Sequence, residues 1–94
     1  MNKNVIINKE LKIREENDFY LLINLNTEDV LNGYPSYFKI NETGKLIIEA
    51  LLENLSYDSV LEKLTEVYPD YSDIKSDLDN FWIFLQRYGL IKPA

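Results

Sequence analysis

The sequence predicts an α+β domain, three strands followed by three helices. Two observations carry this. Up to Ile40 the apolar residues alternate with polar ones, a period of two, and beyond Asn41 they recur at spacings of three and four. A third observation is the punctuation, because polar turns, Asn-Gly, Pro and Ser fall where one period gives way to another.

The elements follow in order. Residues 1–8 read as a loose end or a short first strand through Val5, Ile6 and Ile7. Leu11 and Ile13 alternate with Lys12 and Arg14, and Phe19, Leu21, Ile23 and Leu25 alternate again. With Glu16-Asn17-Asp18 as the turn, these runs make a β-hairpin. Residues 26–33 are a connection ending in Asn32-Gly33. Tyr34 to Ile40 is rich in strand formers. Pro35 has no N–H for a ladder, which places this strand at an edge. Asn41 then offers a side-chain oxygen to the first turn of a helix carrying Leu46, Ile47, Ala50, Leu51 and Leu55 on one face. Ser56 caps a second helix with Val60, Leu61, Leu64, Val67 and Tyr68 on its apolar face, and Pro69 stops it. Ser72 or Asp73 opens the last and longest helix, which runs to about Tyr88 and closes at Gly89, and Leu90 and Ile91 fold back beyond it.

Ninety-four residues fit one domain, residues 1–94. The net charge is −6 and it is uneven. Residues 41–80 carry ten acidic side chains against three basic ones, whereas residues 81–94 carry two basic and no acidic ones. An acidic middle repels phosphate backbones, which argues against nucleic acid. No cysteine and no histidine are present. That removes disulfides, thiolate nucleophiles, cysteine zinc sites and the commonest proton-transfer side chain. No apolar run approaches the 18 or so residues of a membrane span, and the first residues are too polar for a signal peptide. A cytoplasmic protein without a membrane partner is the plain reading.

Catalytic readings are thin. Asp73 and Asp77, and Glu62 and Glu66, are spaced to meet on a helix. Paired carboxylates do acid–base work only where a pocket separates their pKa values, and these lie on a uniformly acidic face. The run DYSDIKSDLD lacks the turn glycine and closing Glu of a calcium loop. No glycine-rich phosphate loop exists. The expectation is a non-enzyme with no cofactor and no metal.

On a helical wheel of the last helix, Ile74, Leu78, Phe81, Leu85 and Tyr88 share the core direction. Lys75, Asp79, Trp82 and Gln86 gather on one shoulder, and Phe84 lies with Asp77 on the other. This helix is too apolar for one buried stripe, so an aromatic surface facing a groove is expected. The plainer alternative is that Trp82 and Phe84 only close the core.

The order of pieces resembles the PqqD family, the peptide-chaperone domains known as RiPP recognition elements. The pieces are Lys12-Ile13-Arg14-Glu15-Glu16, Lys39-Ile40-Asn41-Glu42-Thr43-Gly44, Asp77-Leu78 and Gly89-Leu90-Ile91, spread from about Leu11 to Ile91. Ile40 stands where the family usually has Leu. The eight-residue connection before Tyr34 is a second departure. The resemblance implies a winged-helix-like fold. It implies a role too: binding the leader segment of a ribosomally made precursor peptide and delivering it to a modifying enzyme, such as a radical-SAM, lasso-forming or cyclising enzyme. In such proteins the leader adds as an antiparallel strand to the third strand, beside the last helix.

Physical chemistry supports the same site, since an exposed edge presents unpaired amides and carbonyls. The expected peptide-binding residues are Tyr34, Ser36, Tyr37, Phe38, Lys39 and Ile40 on the strand, with Phe38 and Ile40 turned inward. On the helix, Leu78 and Trp82 are expected as the apolar floor, with Lys75, Asp79 and Gln86 at the rim. A free edge also allows either a monomer or an edge-paired homodimer. The competing functions are a winged-helix DNA-binding domain, which would need more Lys and Arg on its helices, and a general protein-binding adaptor.

Overall fold

The computed structural model describes all of residues 1–94. The hairpin forms as expected, from β2 (Leu11–Glu15) and β3 (Tyr20–Asn24), and β4 (Tyr37–Ile40) joins β3 on the other side. The sheet order is β2-β3-β4, antiparallel throughout. Three main helices follow: α2 (Glu42–Leu52), α3 (Tyr57–Val67) and α4 (Ile74–Arg87).

The two predicted caps form. Asn41 accepts from the Gly44 amide at 2.9 Å, and Ser56 accepts from the Ser59 amide at 3.2 Å. Each satisfies a first-turn N–H that has no partner inside its helix. The third helix differs. Asp73 precedes it without a side-chain cap bond, so its start is set by burial of Ile74 rather than by capping. Its end follows the sequence signal, for Gly89 takes the left-handed conformation at φ +67° that glycine tolerates best.

Three segments add to the sequence reading or depart from it. Of the two readings of residues 1–8 the short first strand forms, as β1 (Val5–Ile7) pairs antiparallel with a short β5 (Ile91–Pro93). The fold-back at Leu90-Ile91 is thus one half of a second, two-stranded sheet. The connection at 26–33 contains a one-turn helix, α1 (Thr27–Leu31), capped by Asn26 on the Asp29 amide. The third strand starts at Tyr37 rather than Tyr34, since α1 turns the chain at Asn32-Gly33 and Pro35 offers no N–H.

The core lies between the three-stranded sheet and the helices. Leu11, Leu22 and Ile40 from the sheet meet Ile47, Ile48 and Leu51 of α2, Val60 and Leu64 of α3, and Leu78, Trp82 and Leu85 of α4. The one buried polar side chain outside this apolar set is Asn24. Its oxygen accepts from the Asn8 side chain and the Asn26 amide, both at 2.9 Å, and its nitrogen donates to Asp29 at 3.1 Å. That network joins β3, α1 and the segment after β1. No buried side-chain polar atom lacks a partner. No helix is long and apolar enough to cross a membrane.

Candidate functional site

The edge of β4 is the first component. β4 pairs only with β3, in the register Tyr20↔Ile40, Leu21↔Lys39, Leu22↔Phe38 and Ile23↔Tyr37. The Asn24 amide donates to the Ser36 carbonyl at 2.8 Å, one step further along the same register. In an antiparallel ladder, residues bonded to the neighbour alternate with residues whose N–H and C=O point away. Ser36, Phe38 and Ile40 are therefore the residues bonded to β3. Tyr37 and Lys39 direct their backbone groups to the open side.

The side chains alternate in the other sense. Phe38 and Ile40 turn in toward the helices, half-buried and buried respectively. Tyr37 and Lys39 lie on the outer face, with the Lys39 ammonium 4.5 Å from the centre of the Phe19 ring.

The second component is an aromatic wall on α4. Phe38 meets Phe84 edge-on, with ring centres 5.3 Å apart at 88°, and lies 5.1 Å from Tyr88. Phe84 in turn stands 5.3 Å from Phe81 and 5.2 Å from Tyr88. These are favoured separations for aromatic pairs. Between this wall, β4 and the first turn of α2 runs a trough. Its deeper part, about 330 Å³, is lined by Asn41, Thr43, Gly44, Ile47, Asp77, Asn80, Phe81 and Phe84. Its outer part, about 250 Å³, is lined by Lys39, Ile40, Asn41, Phe81 and Phe84 and opens beside the vacant strand edge. Asp77 accepts a hydrogen bond from the Tyr71 hydroxyl at 2.9 Å, which holds that phenol above its ordinary pKa. At the α2 end, Tyr68 donates to Glu42 at 2.6 Å, and this bond likewise raises the Tyr68 pKa.

The helix residues expected at the trough sit elsewhere. Leu78 and Trp82 are completely buried. The Trp82 indole packs edge-on against Tyr57 of α3, 5.2 Å between centres, and its N–H donates to the Asn2 carbonyl at 2.8 Å. Gln86 donates to the same carbonyl at 3.3 Å. Lys75 bonds Asp79 at 2.9 Å, Asp79 accepts from the Tyr57 hydroxyl, and the Lys3 ammonium lies 4.5 Å from the Tyr57 ring centre. The Tyr57 bond, with that of Lys75, holds the Asp79 carboxyl below its usual value, and burial with the Asp79 contact pushes the Tyr57 phenol up.

This shoulder of α4 thus faces α3 and the N-terminal segment, and the opposite shoulder, with Phe84 and Asp77, faces β4. This roll buries Trp82 together with Leu78 and Leu85, and the indole N–H, cut off from water, is satisfied by the Asn2 carbonyl. Of the strand residues, Tyr34 precedes β4 and lies against Gly89, and Ser36 has its carbonyl committed to β3. Sequence reasoning placed Phe84 but did not choose it, and it missed Asn41, Thr43, Gly44 and Asn80 as trough residues. The spacing Phe81, Phe84, Tyr88 was the available signal. No group of three or more acidic side chains converges closely enough to hold a metal ion.

Taken together, the fold and this site define a small winged-helix-like domain with a vacant strand edge beside an aromatic trough. The family model for coenzyme PQQ synthesis protein D (PqqD) matches residues 20–91, and the chain belongs to that family. No curated protein matches it in sequence. Among solved structures it is similar to "TbiB1 in Complex with the TbiA(beta) Leader Peptide", with a TM-score of 0.64 and 19% identity over 95% of this chain and 96% of that one. It is similar also to "Lasso peptide synthetase B1 complexed with the leader peptide", with a TM-score of 0.64 and 20% identity over 96% and 99%. At these identities the likeness is one of fold.

Proposed function

We propose that this protein binds the leader segment of a ribosomally synthesised precursor peptide by strand addition to β4 and delivers it to a modifying enzyme, with no catalysis of its own. The observation that carries the reading is the vacant pair of backbone positions at Tyr37 and Lys39, directly beside the trough. Strand addition draws affinity from main-chain bonds and specificity from pockets for alternate side chains. Guest residues opposite Phe38 and Ile40 would point into the trough, and those opposite Tyr37 and Lys39 would face outward. Membership of the PqqD family and the two leader-peptide complexes of similar fold support the same role.

The test is backbone amide exchange, residue by residue, with and without a synthetic peptide copying the N-terminal half of a short precursor encoded beside this chain. The amides of Tyr37 and Lys39 should gain protection on binding. That of Phe38, already in the ladder, should change little. Protection confined to other elements, with Tyr37 and Lys39 unaffected, would rule the reading out.

A further inference from the structure

Gly44 lies in the first turn of α2, buried, where a side chain would point at the trough's inner wall. A Cβ placed on it would stand 3.1 Å from two atoms of the Phe81 ring and 3.3 Å from the Ile40 Cβ. These approaches are closer than ordinary van der Waals contact, so a neighbour must move. Ile40 cannot, because its backbone is fixed to Tyr20 by the ladder and its side chain is buried. Phe81 can. Its ring is half-buried and borders open space in both parts of the trough. The absence of a side chain at residue 44 is therefore what lets Phe81 lie back against α2 and β4.

From this we infer that Gly44 is a positioning residue for guest selection: through Phe81 it sets the depth of the inner trough, and so the largest guest side chain the site accepts. This rests on the peptide-binding reading above and adds to it a determinant of size. Adding a methyl at residue 44 shifts the Phe81 ring towards the trough by a few tenths of an ångström and makes it shallower. Pocket-size discrimination of one methylene spans roughly 10- to 200-fold in hydrophobic sites. A loss near the lower end of that range is expected here, because the wall is one mobile ring.

The experiment uses a fluorescent dodecapeptide selected from a random display library against the unaltered domain, and a series in which each guest position is changed in turn to Ala, Leu or Trp. Protection of the Tyr37 and Lys39 amides by the selected peptide on the unaltered domain checks the parent reading separately. With Gly44→Ala, affinity should fall roughly tenfold for peptides carrying the large residue at one trough-facing position, and hardly change when that residue is Ala. Adding Phe81→Leu to Gly44→Ala should restore the large guest. Phe81→Leu alone should shift preference towards a bulkier guest at the same position, and the Gly44→Ala, Phe81→Leu double variant, in which the close contact is relieved, should lie between it and the unaltered domain even if Gly44→Ala alone fails to fold. An equal loss for every peptide, or no change in size preference in either variant, would overturn the inference while leaving strand addition standing.

Discussion

Replacing Phe38 by Ala removes the ring against which both Phe84 and Tyr88 rest. Phe38 is only half-buried, so the stability cost should be about 2 kcal/mol, below the 3–5 kcal/mol typical of a fully buried aromatic. Peptide affinity should fall at least tenfold, because the trough loses its strand-side wall. Trp82→Ala should do the reverse. It empties a fully buried site and leaves the Asn2 carbonyl with the weaker Gln86 bond alone, costing about 3–5 kcal/mol, with affinity unchanged in whatever fraction stays folded. Calorimetric titration paired with denaturant unfolding of both variants separates the two roles. A residue-scale pH effect follows from Asp79. Its carboxyl sits below the ordinary value near 3.8, first because Tyr57 and then because Lys75 bonds the ionised form. A depressed acid binds fewer protons folded than unfolded, so its stabilisation is full above the unfolded value and is lost as pH falls through the folded one. Asp79→Asn should therefore lower stability at neutral pH and flatten the decline below about pH 4. An undiminished acid decline in that variant would show that other carboxylates set it.

Among the elements, β4 makes the sharpest prediction. Its backbone groups divide by residue, so proline scanning should divide with them. Lys39→Pro deletes an outward N–H and sets the ring on the open side, where an edge strand tolerates it. Phe38→Pro deletes a bond to Leu22 and breaks the sheet. The first variant should keep its circular dichroism and lose peptide binding, and the second should lose both. A Lys39→Pro variant that binds normally would mean that the edge is not used. The same element shows what was legible in the sequence. Alternation at Phe38 and Ile40 and the Asn41 cap fixed which way β4 faces and where α2 begins, because both are local effects. The roll of α4 was not legible. A helical wheel orders the residues around the axis, but the choice between the Trp82 and Phe84 shoulders depends on what packs against each, here Tyr57 of α3 and Asn2, the latter eighty residues away from Trp82 in the chain. The short first strand at Val5–Ile7 was one of two readings, but its pairing with Ile91–Pro93 was not legible, since strands of three residues carry almost no periodic signal.

For the whole molecule, charge and closure matter. The net charge is −6, with Asp77 at the trough, so the site offers little to a polyanion. Peptide affinity should change only a few-fold between low and moderate salt, where a phosphate-backbone binder making six to ten contacts loses about 10³–10⁵. Removing residues 1–4 should strip the cover from the one tryptophan, red-shift its fluorescence and lower Tm by several degrees. An unshifted spectrum would mean that the indole finds other shelter. The strand edge has one more consequence. Its available donors and acceptors recur at every second residue, and its two faces differ, Phe38 and Ile40 beside the aromatic wall within, Tyr37 and Lys39 exposed without. A chain seated there cannot slip by one residue without turning every side chain over. Slippage is thus restricted to steps of two residues, about 6.8 Å, and the distance from docked segment to downstream reaction point comes in fixed increments, like notches on a rule.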